Sequence, residues 1–279
     1  MSLALPIRWP AEDIWQAVSP SIPDFSVEIV PTIDSTSTAL MQRARAGRTE
    51  PVLLVAERQT AGRGRLGRGW QSDAGGPGAM GARADGVDTL TFSLGMPLAP
   101  ADWSGLSLAV GVAVAEALHP RIGLKWPNDL WWQDRKLGGI LVETVGVPGA
   151  GGGTAQRYAV VGVGLNIATP SADGMRTPPA GLRELEPGLT APLALGRVAA
   201  PLVAALQAFA LTGFGPWRER FDRRDVLARR AVQLSDGSAG TACGVDADGA
   251  LLVETAPGVR QAVRSAEISV RPAAQPVRA

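Results

Sequence analysis

The sequence predicts an α+β protein in which a larger domain is followed by a small antiparallel β domain. Over residues 25–227, strand-like segments and apolar helical segments follow one another. From residue 231 onward the chain holds only short strand-like runs, separated by the turn pairs Asp236-Gly237, Asp248-Gly249 and Pro257-Gly258. We therefore expect the first domain over residues 1–228, with residues 1–30 as its lead-in, and the second over residues 229–279.

The first half of the larger domain is predicted to contain three strands and two helices. The strands are expected at residues 25–30, 52–57 and 90–94. Asp34 or Ser35 is expected to cap a helix that ends near Gly47, because short polar side chains accept hydrogen bonds from the first amides of a helix. An apolar helix is expected over residues 104–118. The Gly-rich residues 75–88 predict a mobile loop or insertion.

The second half predicts consecutive strands joined by tight turns, since Asn, Asp and Pro stand between runs of β-forming residues. A glycine cluster over residues 149–153 indicates one further loop. The strands are expected at residues 122–126, 130–132, 137–144 and 158–167, and helices at 193–211 and 217–227. In the small domain, strands are expected at residues 231–234, 241–245, 251–254 and 262–270.

Composition excludes several classes of function. The formal net charge of +1 gives no overall field that would favour nucleic acid or a membrane. The single cysteine, Cys243, excludes an internal disulfide, and together with the single histidine, His119, it excludes the usual Cys/His zinc sites. A Ser-His-Asp triad would have to use His119, which directly precedes Pro120 at a helix end, where a structural role is favoured. We predict no metal site.

The amino-terminal residues lack the pattern of a signal peptide, and no apolar stretch is expected to span a bilayer. The two longest, residues 106–118 and 191–211, are interrupted by Glu116 and by Arg197 and Pro201. Both therefore predict buried helices, and the protein is expected in the cytoplasm without a membrane partner.

Residues 62–67 read GRGRLG, which matches the dinucleotide-binding pattern G-x-G-x-x-G. That pattern requires a helix that opens at its last glycine, but Gly67 is followed by more glycine-rich sequence, so NAD binding is disfavoured. The glycines and Arg63, Arg65 and Arg68 instead present backbone amides together with guanidinium groups, which suits an anionic ligand. A solvated basic loop and a segment that binds single-stranded nucleic acid remain alternatives on this stretch alone.

Three further motifs place polar residues at the ends of predicted elements. DSTSTA puts Ser35 and Thr36 at a helix N-terminus, where hydroxyls and free amides can meet a ligand. KWPNDLWW puts Lys125 in an otherwise apolar strand, and VVGVGLNI ends a glycine-containing strand with Asn166. Each motif also has a plain structural explanation as a helix cap, a lysine that snorkels to solvent, or turn residues.

Taken in order, DSTSTA, AERQTAGRGRLGRGW, KWPNDLWWQDRKLGGILVE and VVGVGLNI, followed by a small β domain, resemble the biotin–protein ligases over most of residues 31–270. The resemblance implies a class II synthetase-like catalytic domain with a central mixed sheet and helices on one side, followed by a small Src-homology-type antiparallel β-barrel. It also implies that the carboxylate of biotin attacks the α-phosphate of Mg-ATP to give biotinyl-5′-AMP and pyrophosphate. A lysine of a biotin carboxyl carrier protein, as in acetyl-CoA carboxylase, would then be biotinylated.

The resemblance also assigns roles to individual residues of this chain. Catalysis would involve Lys125, Arg63 and Arg65. ATP or the adenylate would contact Arg65, Arg68, Trp70, Lys125 and Asn166. The biotin site would be formed by Ser35 and Thr36 at its ureido end, by Gln59 near the carboxyl group, and by Gly62, Arg63, Gly64, Arg65, Lys125 and Gly162. No residue is assigned to a resident metal, since Mg²⁺ would enter with ATP.

The residues also bear on DNA binding, on two alternative functions and on possible protein partners. Fewer than about 35 residues precede DSTSTA, too few for the usual three-helix DNA-binding module, so a monofunctional ligase without specific DNA binding is expected. A lipoate– or octanoate–protein ligase would share the fold, although the Arg-Gly-His segment of that relative is not visible. A non-enzymatic nucleic-acid-binding module is disfavoured by the near-neutral charge. A strand edge could serve a homodimer or the carrier protein, and the residues do not decide between them.

Overall fold

A computed structural model describes residues 6–71, 87–146, 156–175, 177–264 and 270–272 of the protein. In these ranges the helices are α1 (Ala11–Val18), α2 (Thr36–Arg45), α3 (Leu106–Leu118), α4 (Ala191–Thr212) and α5 (Gly215–Asp222). The strands are β1 (Ser26–Ile33), β2 (Val52–Gln59), β3 (Gly62–Arg63), β4 (Gly69–Trp70), β5 (Thr89–Leu98), β6 (Gly123–Lys125), β7 (Asp129–Trp132), β8 (Arg135–Gly146), β9 (Arg157–Asn166), β10 (Ala231–Leu234), β11 (Ala239–Val245), β12 (Leu251–Ala256), β13 (Val259–Val263) and β14 (Val270–Pro272).

Seven strands form a central mixed sheet in the order β1-β2-β5-β9-β8-β7-β6. Strands β1 and β2 are parallel, and every other neighbouring pair is antiparallel. This arrangement confirms the predicted α+β class with a central mixed sheet. The tight turns predicted between residues 122 and 146 join β6, β7 and β8, which bring Lys125 and the following turn to the edge of the sheet.

Helices cover both faces of the central sheet, so the expectation of helices on one side is wrong. On β2, Leu53 and Val55 join the larger core cluster with α1, α3 and α4, whereas Val52 and Leu54 join a smaller cluster with α2. The alternation of side chains along a strand explains why consecutive apolar residues serve two cores. Helix α2 begins after Ser35, whose side chain accepts a hydrogen bond from a backbone amide of the first turn, as the sequence predicted.

The lead-in, in which no helix was predicted, contains α1. Its prolines lie outside the helix, while Ile14 and Val18 are one turn apart and both buried. Helix α4 is 22 residues long and, by length and composition alone, could cross a membrane, which corrects our estimate of the apolar stretches. It packs against α3, α1 and β5 with Leu202, Leu206 and Phe209 in the core. The predicted buried helix is thereby confirmed.

The C-terminal strands form an antiparallel sheet in the order β13-β12-β11-β10-β14. The expected strand over residues 262–270 is wrong, because β13 pairs with β12 whereas β14 pairs with β10. Within the described ranges β13 and β14 do not pair, so the sheet there is open rather than a closed barrel. The predicted loops over residues 75–88 and 149–153 lie almost wholly outside the described residues.

Candidate active site

One cleft collects ten of the twelve residues that the sequence assigned to the site. It lies between the N-terminus of α2, the β3–β4 hairpin, and strands β6 to β9 of the central sheet. Gly62 and Asn166 are not among its lining residues. The ten are Ser35, Thr36, Gln59, Arg63, Gly64, Arg65, Arg68, Trp70, Lys125 and Gly162.

One end of the cleft carries an uncharged hydrogen-bonding network. The backbone amide and hydroxyl of Thr36 donate to Oε1 of Gln59 at 2.7 and 3.1 Å. The Thr36 hydroxyl also lies 2.8 Å from that of Ser93, which in turn lies 3.0 Å from the hydroxyl of Ser37. The three hydroxyl side chains are buried, so their positions are set before any ligand arrives. Gln59 is part of this network, and its expected place near the carboxyl group of a ligand stays a prediction.

Two glycines of β9 form part of the cleft wall because side chains lie directly on them. A Cβ atom on Gly162 would collide with the hydroxyl of Ser37, and one on Gly164 would come 2.5 Å from the indole of Trp70. Both positions therefore exclude any larger residue without displacement of a neighbour. The sequence assigned Gly162 to the site and left Gly164 unassigned.

The GRGRLG segment is a hairpin and not the start of a helix. Residues Gly62–Arg63 pair with Gly69–Trp70, and the amide of Gly64 donates to the carbonyl oxygen of Arg68 at 2.7 Å. At the tip, Leu66 has a φ of 57° and Gly67 a φ of 69°. The geometry therefore lacks the helix N-terminus that a dinucleotide pyrophosphate needs, in agreement with the sequence-based exclusion.

The arginines of this hairpin reach across the cleft in two directions. Arg63 donates to Oε1 of Glu143 at 3.0 Å and to the hydroxyl of Thr38 at 3.4 Å. Arg65 donates to Oδ1 of Asn128 at 3.3 Å, and burial lowers the pKa of its guanidinium. The two side chains tie the hairpin to α2 and β8 on one side and to the turn before β7 on the other.

The other end of the cleft holds the only two lysines of the chain. Lys125 is 8% exposed, and its Nζ lies 3.9 Å from Oδ2 of Asp129 and 5.4 Å from the ring centre of Trp131. Nζ of Lys136 lies 2.6 Å from the other carboxylate oxygen of Asp129. Burial lowers the pKa of Lys125, and the carboxylate of Asp129 opposes that shift. A single carboxylate thus stands between two ammonium groups.

The turn between β6 and β7 is fixed by hydrogen bonds to two elements, α3 and β8. The hydroxyl of Ser107 on α3 donates to the carbonyl oxygen of Pro127 at 3.0 Å. The amide side chain of Asn128 donates to the carbonyl oxygen of Ile140 at 2.7 Å, and the Ile140 amide donates back to the Asn128 carbonyl oxygen at 2.9 Å. Asn128 is a turn residue, as predicted, whereas Asp129 begins β7 and pairs with Lys125, and both residues line the cleft.

Sequence reasoning missed Lys136, which it left unassigned between a polar turn at residues 133–135 and a strand at residues 137–144; the residue lies in β8. Trp132 pairs with Arg135 across a two-residue turn in which Gln133 and Asp134 both have positive φ, and Lys136 then lies opposite Trp131. Reading the turn as a two-residue hairpin would have placed Lys136 near Asp129. Ser93 left no comparable local signal, because its partners lie 56 and 57 residues away.

Asn166 is placed beside the cleft in a supporting position. Its amide nitrogen donates to the carbonyl oxygens of Lys136 and Ala180 at 3.2 and 3.0 Å. It therefore holds the backbone of Lys136, and its assignment to the adenylate stays a prediction. Gly62 lets the hairpin strands approach, since a Cβ there would come 2.5 Å from the carbonyl oxygen of Trp70.

The lining residues carry far more positive than negative charge. Five are basic and only Asp129 is acidic, so the cleft attracts anions although the whole protein is nearly neutral. The uncharged network and glycine wall at one end are suited to a neutral polar group. The basic lining residues are Arg63, Arg65, Arg68, Lys125 and Lys136.

Comparison with known proteins agrees with this geometry. Residues 29–166 match the model of the Biotin/lipoate A/B protein ligase family, and residues 231–271 match the Biotin protein ligase C terminal domain. The bifunctional ligase/repressor BirA of Escherichia coli is 35% identical over 89% of this chain and 75% of its own length. The biotin–[acetyl-CoA-carboxylase] ligase of Paracoccus denitrificans is 31% identical over 84% of this chain and 96% of its own length.

Among solved structures, the biotin protein ligase of Aquifex aeolicus in complex with biotin and ATP has the same fold. Its TM-score is 0.68 at 24% identity, and the match covers 88% of this chain and 99% of that protein.

Proposed function

Because this chain belongs to the biotin–protein ligase family and is a ligase, we propose that it activates biotin with ATP and transfers it to a carrier lysine. The acceptor would be the biotin carboxyl carrier protein of acetyl-CoA carboxylase or of a related carboxylase. The activated intermediate would be biotinyl-5′-AMP. We place the enzyme in the cytoplasm, where ATP is available.

The observation that supports this proposal most is the division of the cleft into an uncharged end and a cationic end. Biotin has a neutral ureido group at one end and a carboxylate at the other. Thr36 and Gln59, which line the cleft and are held in a network with Ser93, offer both donors and acceptors to the ureido group. Lys125 and Lys136 lie at the other end, where a carboxylate and a phosphate can meet them.

The first reaction joins two anions, and the cationic end opposes their repulsion. A carboxylate oxygen of biotin attacks the α-phosphorus of ATP, a P–O bond forms, and the bond to the β-phosphate breaks to release pyrophosphate. Lys125 and Lys136 would stabilise the charge that develops on the phosphate oxygens, and their link through Asp129 holds them in place beforehand. Arg65 and Arg68 would face the remaining phosphates.

In the second reaction a neutral carrier lysine attacks the carbonyl carbon of the mixed anhydride, and AMP leaves as an amide bond forms. The hairpin lies over the cleft and would shield the anhydride from water until the carrier arrives. Mg²⁺ would enter as the ATP complex, because proteins usually bind this ion through one or two carboxylates together with substrate phosphates.

ATP–pyrophosphate exchange tests the proposal with purified protein, Mg²⁺, and biotin, lipoate or octanoate in separate reactions. Exchange that depends on biotin supports the adenylation step, and exchange with lipoate or octanoate would assign a different acid to the same chemistry. Mass spectrometry of an added carrier protein then tests transfer, since one lysine should gain one biotinyl group. A carrier variant with Arg in place of that lysine is the control.

A further inference from the structure

We propose that the C-terminal sheet and the segment that leads into it together position Lys125, because the sheet holds Trp126 and the segment holds Leu124, the two residues on either side of it. The role given to Lys125 rests on the proposed function. The attachment of Leu124 and Trp126 does not depend on that function, and a measurement without substrate tests it.

Trp126 is attached directly to the C-terminal sheet. Its indole N–H donates to the carbonyl oxygen of Gly249 at 3.0 Å, a bond that joins residues 123 positions apart. Trp126 is 1% exposed, so its single donor would have no access to water if this bond were lost.

The turn that presents the Gly249 carbonyl group is itself held rigidly. The carboxylate of Asp246 accepts from the amides of Asp248 and Ala250 at 2.9 Å each, and the Gly249 amide donates to the Asp246 carbonyl oxygen at 3.2 Å. Gly249 has a φ of +79°, and a Cβ there would come 2.9 Å from Cα of Gly105, the N-cap of α3. The turn thus fits closely against the main body of the protein.

Leu124 is held by the segment that leads from α5 into the C-terminal sheet. The Leu124 amide donates to the carbonyl oxygen of Arg224 at 2.7 Å, and the Val226 amide donates to the carbonyl oxygen of Leu124 at 3.0 Å. These bonds occupy the outer edge of β6, the last strand of the central sheet.

Lys125 lies between these two attachments. Side chains alternate along a strand, so Lys125 points into the cleft while its neighbours point toward the buried side. The segment of residues 224–226 and the turn of residues 246–250 therefore fix the backbone that sets the position of the Lys125 ammonium group. A displacement of about 1 Å in a reacting group can cost up to about 10²-fold in rate.

The kinetic test compares two Trp→Phe variants that differ in one respect. Trp126→Phe removes an N–H that has a partner, whereas Trp217→Phe removes a buried N–H that has none among the described residues. We expect Trp126→Phe to lower the turnover number of biotin-dependent exchange by about 10-fold or more while both KM values stay within about twofold. Trp217→Phe should remain within about twofold of the wild type in all three constants.

A second test uses two glycines with positive φ in turns of the same sheet. Gly249→Ala brings a Cβ against Gly105, whereas Gly258→Ala meets no atom of the described residues within 4 Å. Hydrogen–deuterium exchange of the peptide containing residues 123–129 should accelerate in Gly249→Ala and match the wild type in Gly258→Ala. This measurement needs no substrate, and it uses a variant whose tryptophan core is intact.

The proposal is overturned if exchange at residues 123–129 is equal in the two glycine variants, or if Trp126→Phe and Trp217→Phe have the same turnover number. A wild-type protein without biotin-dependent pyrophosphate exchange would contradict the proposed function instead. The deuterium measurement would then still decide whether the C-terminal sheet holds β6.

Discussion

The two walls of the cleft are built in different ways. The hairpin wall, residues 62–70, has only two paired residues in each strand, and its tip residue Leu66 is 53% exposed. The sheet wall, formed by β6 to β9, carries Lys125 on a strand that is bonded on both edges. Lys125 on the sheet wall is thus a buried and oriented charge, whereas Arg63 on the hairpin wall presents a charge that water can reach.

This difference indicates that the two walls have different functions. Buried, oriented charges stabilise a developing charge without the cost of reorganising water, so catalytic power is expected in the sheet wall. Exposed side chains interact weakly and can rearrange, so the hairpin wall is suited to admitting and covering ligands. The predictions below test this contrast from the largest expected effect to the smallest.

Removal of the Lys125 charge should have the largest effect. Lys125→Met keeps most of the side-chain volume but loses the oriented ammonium group, and we expect the turnover number of biotin-dependent exchange to fall by about 10²–10³-fold. Arg157→Met, which removes an exposed charge at the start of β9, is the control and should retain wild-type turnover. A wild-type turnover number in Lys125→Met would break the contrast between the walls.

Chemical acetylation should inactivate the enzyme through one lysine. The chain has only two lysines, and the side chain of Lys136 is 33% exposed against 10% for Lys125. We expect loss of activity to follow acetylation of Lys136, as measured by peptide mass spectrometry, and biotin plus ATP to slow it. The peptide containing Lys125 serves as the internal control. Full activity after complete modification of Lys136 would show that its ammonium group has no role in catalysis.

The free energy of unfolding should depend on pH through Asp225, which lies opposite Leu124 at the edge of β6. Burial raises the pKa of this carboxyl group from 3.8 to about 6, so the folded protein binds a proton that the unfolded chain releases. The contribution of Asp225 to the free energy of unfolding should therefore decrease as the pH rises from about 4 to about 6 and level off above that range. In urea titrations, the free energy of unfolding of the wild type should fall relative to that of Asp225→Asn over this pH range.

Asp24→Asn, at an exposed position, is the control for that experiment and should keep the wild-type profile. Equal pH profiles for wild type and Asp225→Asn would mean that ionisation of this carboxyl group does not affect the free energy of unfolding.

The ion pair of the hairpin wall should contribute least. Arg63 is 47% exposed, and it pairs with Glu143 at 3.0 Å. A double-mutant cycle with Arg63→Ala and Glu143→Gln should give a coupling of about 0.2–1 kcal/mol in the free energy of unfolding. A coupling well above this range would show that the hairpin is held as firmly as the sheet, and the proposed difference between the walls would fail.

The sequence predicted much of the site because several of its residues violate a local pattern. Lys125 interrupts an apolar strand, and Arg63 and Arg65 stand among glycines that no helix follows. Lys136 was missed because a lysine beside a polar turn is locally unremarkable, and only strand pairing places it against Asp129. Ser93 was missed for the same reason, since an isolated serine in a strand carries no signal of its partners.

By itself, the sequence determined the features that depend on a few neighbouring residues. The helix cap at Ser35, the left-handed glycines at Gly237, Gly249 and Gly258, and the switch to short strands near residue 231 all follow from local backbone preferences. These preferences act over one turn or one hairpin, and they are legible without knowledge of the fold.

Only the tertiary structure decided which distant residues meet. It placed the side chain of Asn166 against the backbone of Lys136, joined Gln59 to Thr36, and joined Trp126 to Gly249 across 123 positions. The physical reason is that such contacts depend on the order and register of strands. That order is chosen by the combined burial of the whole core and not by any short stretch of chain.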